Sequence, residues 1–175
     1  HDHGDRTLPG SRGKKEIAHP SRSFPGTGVV PGSVLMRETF HKTERLCSRT
    51  LIRQLYRTGK GFTTGPFRVM WQQMPPSGPF PAQVMISVPK SLFPKATGRN
   101  LLKRRIREAY RKNKGMLYER LSEQGIRIIL IITYNTRETL QYEEIRHKII
   151  VLLHRLNEVV EKSFGSFFIL LIRFY

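Results

Sequence analysis

The densest chemistry in the chain lies in sixteen residues of its second half. From residue 99 to 114 stand Arg99, Lys103, Arg104, Arg105, Arg107, Arg111, Lys112 and Lys114, with Glu108 as the one acid. Cations at this density repel one another unless an anion arrives. A planar guanidinium binds two phosphate oxygens at once, so the anion that fits is a polyphosphate. A merely solvated charged face is the usual reading of a mixed Lys/Glu helix, but a single carboxylate cannot balance eight cations.

Groups that could break bonds are far scarcer. Asp occurs only at positions 2 and 5, and the 63 residues between Glu44 and Glu108 hold no acid at all. A metal-dependent nuclease needs converging carboxylates. The pairs Glu119 with Glu123 and Glu143 with Glu144 read as charges on helix surfaces, and His147 and His154 as surface or core-edge residues of the last helix. The single Cys47 rules out an internal disulfide framework and a multi-cysteine zinc site. Its basic neighbours in sequence, Arg45 and Arg49, are no general bases. The expectation is no catalytic residue, no metal site and no cofactor bound by the protein alone; any chemistry it takes part in draws its catalytic groups from elsewhere.

Several elements must position the basic run. The chain has 175 residues, a formal charge of +18 and 38% hydrophobic residues, enough for one folded domain. Residues 1–35 include six Gly, four Pro and four Ser with little to bury, and read as a disordered arm. The domain is expected over 36–160, followed by an apolar tail over 161–175 that breaks from the last helix at Ser163 and Gly165. That tail either docks on the core or continues into a longer chain. No apolar run approaches the roughly 20 residues that span a bilayer. A lone cysteine and the lack of a secretory signal point to the cytoplasm, with no membrane partner.

Within the domain, Ser48 caps and Gly59 ends a helix over 49–58. Strands are predicted over 67–72 and 82–88, joined as a hairpin through Met74-Pro75-Pro76-Ser77-Gly78. A helix over 99–113 places Leu102, Ile106, Ala109 and Tyr110 in one stripe, with Arg99, Asn100, Lys103, Arg107 and Arg111 in the next. A β-branched strand over 126–133 and a helix over 142–160 complete an α+β arrangement of helices layered on one sheet.

The segments Ser87-Val88-Pro89-Lys90 and Arg99-Asn100-Leu101-Leu102-Lys103-Arg104-Arg105-Ile106-Arg107-Glu108 make a specific pattern, an S-x-x-K strand end followed by an R-N-x-x-K-R-x-x-R-E helix. It resembles the protein subunit of bacterial ribonuclease P, and the likeness extends over about residues 40–160. The resemblance implies a two-layer α/β sandwich with a mixed sheet of about four strands and three helices. It implies partnership with the ribonuclease P RNA, which cleaves the 5′ leader from precursor tRNA using its own magnesium, and no DNA partner. Carried over by position, Arg99, Asn100, Lys103, Arg104, Arg107 and Arg111 contact that RNA, with Ser87 and Lys90 along the same edge. Ile52, Leu55, Tyr56, Phe67 and Trp71 line a cleft for the single-stranded leader.

Two departures stand out. Leu101 replaces an Arg common in the family, for which Arg105 can substitute, and Ile52 and Leu55 stand where aromatics are frequent. The competing reading is a basic RNA-binding or ribosome-associated protein without a processing role.

Overall fold

The computed structural model describes residues 39–75 and 79–173, with side chains described as far as Ser163. The expected arm over 1–35 and the Pro76-Ser77-Gly78 stretch lie outside the described residues. The elements are α1 (Arg49–Thr58), β1 (Lys60–Thr64), β2 (Phe67–Met74), β3 (Ala82–Ser87), α2 (Ala96–Asn113), α3 (Gly115–Glu123), β4 (Arg127–Tyr134) and α4 (Tyr142–Arg173).

The mixed four-stranded sheet has the order β1-β2-β4-β3, antiparallel except for the parallel β3–β4 pair. β4 takes the interior because Ile128, Leu130 and Ile132 bury on one face and Ile129 and Ile131 on the other. A strand apolar on both sides must be covered on both. The predicted hairpin between β2 and β3 is therefore not formed; β4 separates them. The reversal that does form joins β1 to β2 at Gly65, whose φ of 53° suits a residue without Cβ.

On one face of the sheet lie α2, α3 and α4, packed through Leu102, Ile106, Tyr110, Leu117, Leu153 and their neighbours. α1 crosses the other face, where Leu55 and Leu46 meet Ile129 and Ile131. Ser48 Oγ accepts from Leu51 N at 3.4 Å to open α1. Gly59 closes it, since a Cβ there would sit 2.3 Å from the Leu55 carbonyl oxygen.

Two helical expectations need correction. Among the described residues there are four α-helices rather than three, because Leu117, Tyr118 and Leu121 recur at helical spacing and bury in α3. α4 also runs on through Ser163 and Gly165 to Arg173 instead of ending near residue 160. Ser163 Oγ donates to the Val159 carbonyl at 2.8 Å, so its hydroxyl bonds back inside the helix and does not break it.

A buried ion pair joins the start of the domain to the α2–α3 junction. Glu44 accepts from Lys114 Nζ and, at 2.8 Å, from Tyr118 OH, while its other oxygen accepts from His41 N at 3.1 Å. Lys114 also donates to the Thr39 carbonyl and lies 4.9 Å from the Tyr118 ring centroid. Both ion-pair side chains are almost fully buried. Burial raises the pKa values of the Tyr118 and Tyr110 phenols, so both rings stay neutral. Replacing Lys114 with Met removes the partner of the buried Glu44 carboxyl and should cost about 3 to 5 kcal/mol in urea unfolding. Adding Glu44→Gln to that variant should recover part of the loss.

Candidate nucleic-acid interface

α2 forms because its apolar residues recur every three or four positions, and the helix rests on that stripe: Leu102, Ile106, Ala109 and Tyr110 are buried. The basic residues are thereby turned toward solvent, but they are not equivalent. Asn100, Arg104 and Arg107 are exposed, and among the described residues neither arginine forms an ion pair. Lys103 is half-buried. Arg99 donates to the Phe93 and Pro94 carbonyls at 2.8 and 2.6 Å, which ties down the connection entering the helix. Arg105, the expected substitute at the Leu101 position, donates to the Leu140 carbonyl at 2.6 Å, while Leu101 itself is 42% exposed.

Arg111 grips Glu108 with two bonds of 2.8 and 2.7 Å. This contact holds the Glu108 carboxyl below its ordinary pKa and takes up the one acid of the stripe. Ser87 ends β3, and Lys90 is exposed three residues later in the connection leading to α2.

The α1 side differs from the expected cleft. Ile52 is half-buried and Tyr56 is 52% exposed, but Leu55 is wholly buried beneath the helix and lines no groove. Phe67 and Trp71 lie on the opposite face, packed with Val69 under the three-helix layer. There Phe67 meets Tyr134 edge-on at 5.7 Å, and Lys60 Nζ sits 5.7 Å from the Trp71 ring centroid.

The cause is the two-residue period of a strand. If Phe67, Val69 and Trp71 point one way, Arg68, Met70 and Gln72 point the other. The sheet residues that face α1 are therefore Met70, Met74 and Met85 beside Ile129 and Ile131, and next to them a row set by register: Thr63 opposite Arg68, Arg68 opposite Thr133, Thr133 opposite Ser87. Sequence reasoning missed Arg68 and Met70. The alternation was there to read; what it lacked was the assignment of each face to a helix layer.

No three His, Cys, Asp or Glu side chains converge in a metal-binding arrangement among the described residues. Cys47, His147 and His154 are exposed. No helix among the described residues is long and apolar enough to cross a membrane.

A mixed sheet with one cationic helix seated on it by an apolar stripe, Arg104 and Arg107 facing solvent, defines a basic α/β domain with an exposed cationic face. Residues 40–157 match the family model described as Ribonuclease P, and the chain belongs to that family.

The chain is similar to a ribonuclease P protein component of Porphyromonas gingivalis, 38% identical over 85 residues, a match covering 49% of this chain and 62% of that relative. It is also similar to the Thermotoga maritima component, 32% identical over 124 residues, covering 69% of this chain and 98% of that one. Among solved structures, the ribonuclease P protein from Thermotoga maritima aligns at a TM-score of 0.51 and 25% identity, covering 63% of this chain and 96% of its own. The Staphylococcus aureus protein aligns at 0.54 and 20% identity, covering 66% and 96%, and shares the fold.

The exposed pair gives a direct test. Arg104→Ala with Arg107→Ala should weaken binding to a structured RNA and flatten its log–log salt dependence by about 2, at an unchanged melting temperature. Arg99 is the poorer choice for such a variant because of its two carbonyl bonds. Ile106→Asp, which buries a charge, should unfold the domain in the same melting experiment.

Proposed function

We propose that the chain is the protein subunit of the ribonuclease P holoenzyme, an endoribonuclease acting in the cytoplasm. It binds the catalytic RNA and the 5′ leader of precursor tRNA, so that the RNA removes the leader and leaves the mature 5′ end. The observation that carries this reading is the R-N-x-x-K-R-x-x-R-E spacing, with Asn100, Arg104 and Arg107 standing on the solvent side of a helix anchored by Leu102 and Ile106.

The protein's part is binding and orientation. Two of its acids are already engaged within the protein: Glu44 is enclosed by Lys114 and Tyr118, and Glu108 is held by Arg111. The reading assigns the metal to the RNA. Arg99, Asn100, Lys103, Arg104 and Arg107 would meet the ribozyme's phosphates, with Ser87 and Lys90 at the adjoining edge. Arg111 would stand beside them with its guanidinium already engaged by Glu108. The leader would pass between α1 and the sheet, over Ile52, Tyr56, Met70 and Arg68 in place of the expected Phe67 and Trp71.

Reconstitution tests the reading. Added to a bacterial ribonuclease P RNA at low magnesium, the purified chain should raise the rate of precursor tRNA cleavage. A basic RNA-binding protein without a processing role would bind that RNA and leave the rate unchanged.

Tyr56 tests the leader path separately. Tyr56→Ala should weaken holoenzyme affinity for precursor tRNA, and not for mature tRNA, by about 1 to 3 kcal/mol for one lost base stack. Its melting temperature should stay put, because the ring is half exposed. Equal losses for both RNAs would return Tyr56 to a packing role.

A further inference from the structure

α4 outlasts the core it packs on. Val160 is the last buried residue among its described side chains, and the backbone stays helical to Arg173, about 20 Å further along the axis. In sequence, seven of the nine residues from 164 to 172 are apolar, and Phe167-Phe168-Ile169-Leu170-Leu171-Ile172 is unbroken. Six consecutive apolar residues, each turned about 100° from the last, leave no side of a helix polar.

That pattern selects what can cover the segment. The domain's own core is left behind at Val160, and a continuous helix does not turn back on it. A second copy of the helix would bury one stripe and leave the opposite one in water. A lipid leaflet surrounds a helix on every side. Lipid also demands that backbone N–H and C=O groups be bonded within the segment, which an irregular tail fails and a helix meets. The continuation of α4 through Ser163 and Gly165 is therefore what fits the run for a bilayer.

Length and charge set the mode. Nine residues of helix extend about 13 Å, under half of the roughly 30 Å hydrocarbon core, so the run enters one leaflet and does not cross. Lys162 and Arg173 bracket it, and Glu161, the acid beside it, is paired with Arg120 at 3.0 Å. On a chain of net charge +18 these cations favour an anionic headgroup surface.

We propose that the C-terminal part of α4 is a membrane-surface anchor, which inserts residues 164–172 into one leaflet of an anionic bilayer. This adds a location to the RNA-binding reading and does not depend on it. The anchor and the exposed arginines of α2 stand on different elements, so a chain already bound to RNA still reaches the bilayer.

The test is co-sedimentation of the full chain with vesicles of phosphatidylcholine containing phosphatidylglycerol, and of phosphatidylcholine alone, with and without bound ribonuclease P RNA. The wild-type chain should sediment with the anionic vesicles in both states and more weakly with the neutral ones. Phe168→Ser combined with Leu171→Ser keeps every charge and removes apolar contact alone. It should weaken anionic-vesicle affinity by about tenfold or more, at unchanged RNA affinity and melting temperature.

Equal vesicle affinity for wild type and variant would reduce the contact to charge attraction and overturn the proposal, as would no binding at all. Binding that RNA abolishes would assign the vesicles to the arginines of α2 and overturn it too. A lower melting temperature in the variant would place the run against the domain instead of lipid. Self-association without lipid, seen by sedimentation velocity and lost in the variant while vesicle affinity stays the same, would give the run to a second copy.

Discussion

Residues 128 to 132 present five consecutive aliphatic side chains, and a strand sends successive side chains to opposite faces. β4 therefore cannot leave either face to water. It has to lie inside the sheet, and the sheet has to be covered on both sides. From that constraint follow the order β1-β2-β4-β3, the three-helix layer on one face and α1 on the other. The exposed arginines of α2 then point away from the sheet, because the helix turns its apolar stripe inward.

The acids are as informative as the bases. Glu44 disappears into an ion pair with Lys114, and Glu108 is held on its own helix by Arg111. Each neutralises a neighbour and leaves Arg104 and Arg107 uncancelled. Such a field raises the local concentration of polyanions and speeds encounter.

Legibility in the sequence followed the range of the interaction. α1 stands at its predicted limits because its cap, its apolar spacing and its terminating Gly59 all lie within a dozen residues. The split of α2 into a buried and a solvent stripe was readable because a helix reports its own faces. The sheet was not readable in the same way. Turn residues after Met74 announce a reversal but not a partner, and β4, some fifty residues later, inserted between the two expected hairpin strands. Phe67 and Trp71 were misassigned to the α1 side for a related reason: alternation shows that they share a face, while only the packed layers show which face it is. The Glu44–Lys114 pair bridges 70 residues and leaves no local trace.

The strand order also has a kinetic consequence. β2 and β3 are made early, yet both hydrogen-bond to β4, which joins Phe67 to Tyr134 and Ala82 to Ile128 across the sheet. Contacts this distant in sequence close slowly, because loop entropy must be spent before any pairing rewards it. During synthesis the first completed pair is the β1–β2 hairpin, and the cationic α2 leaves the ribosome before the strand that will complete the sheet. The strand edges of β2 and β3 stay open for that interval, a period in which unpaired edges are prone to aggregate. The sheet closes last at its centre, when the strand that organises every other element arrives.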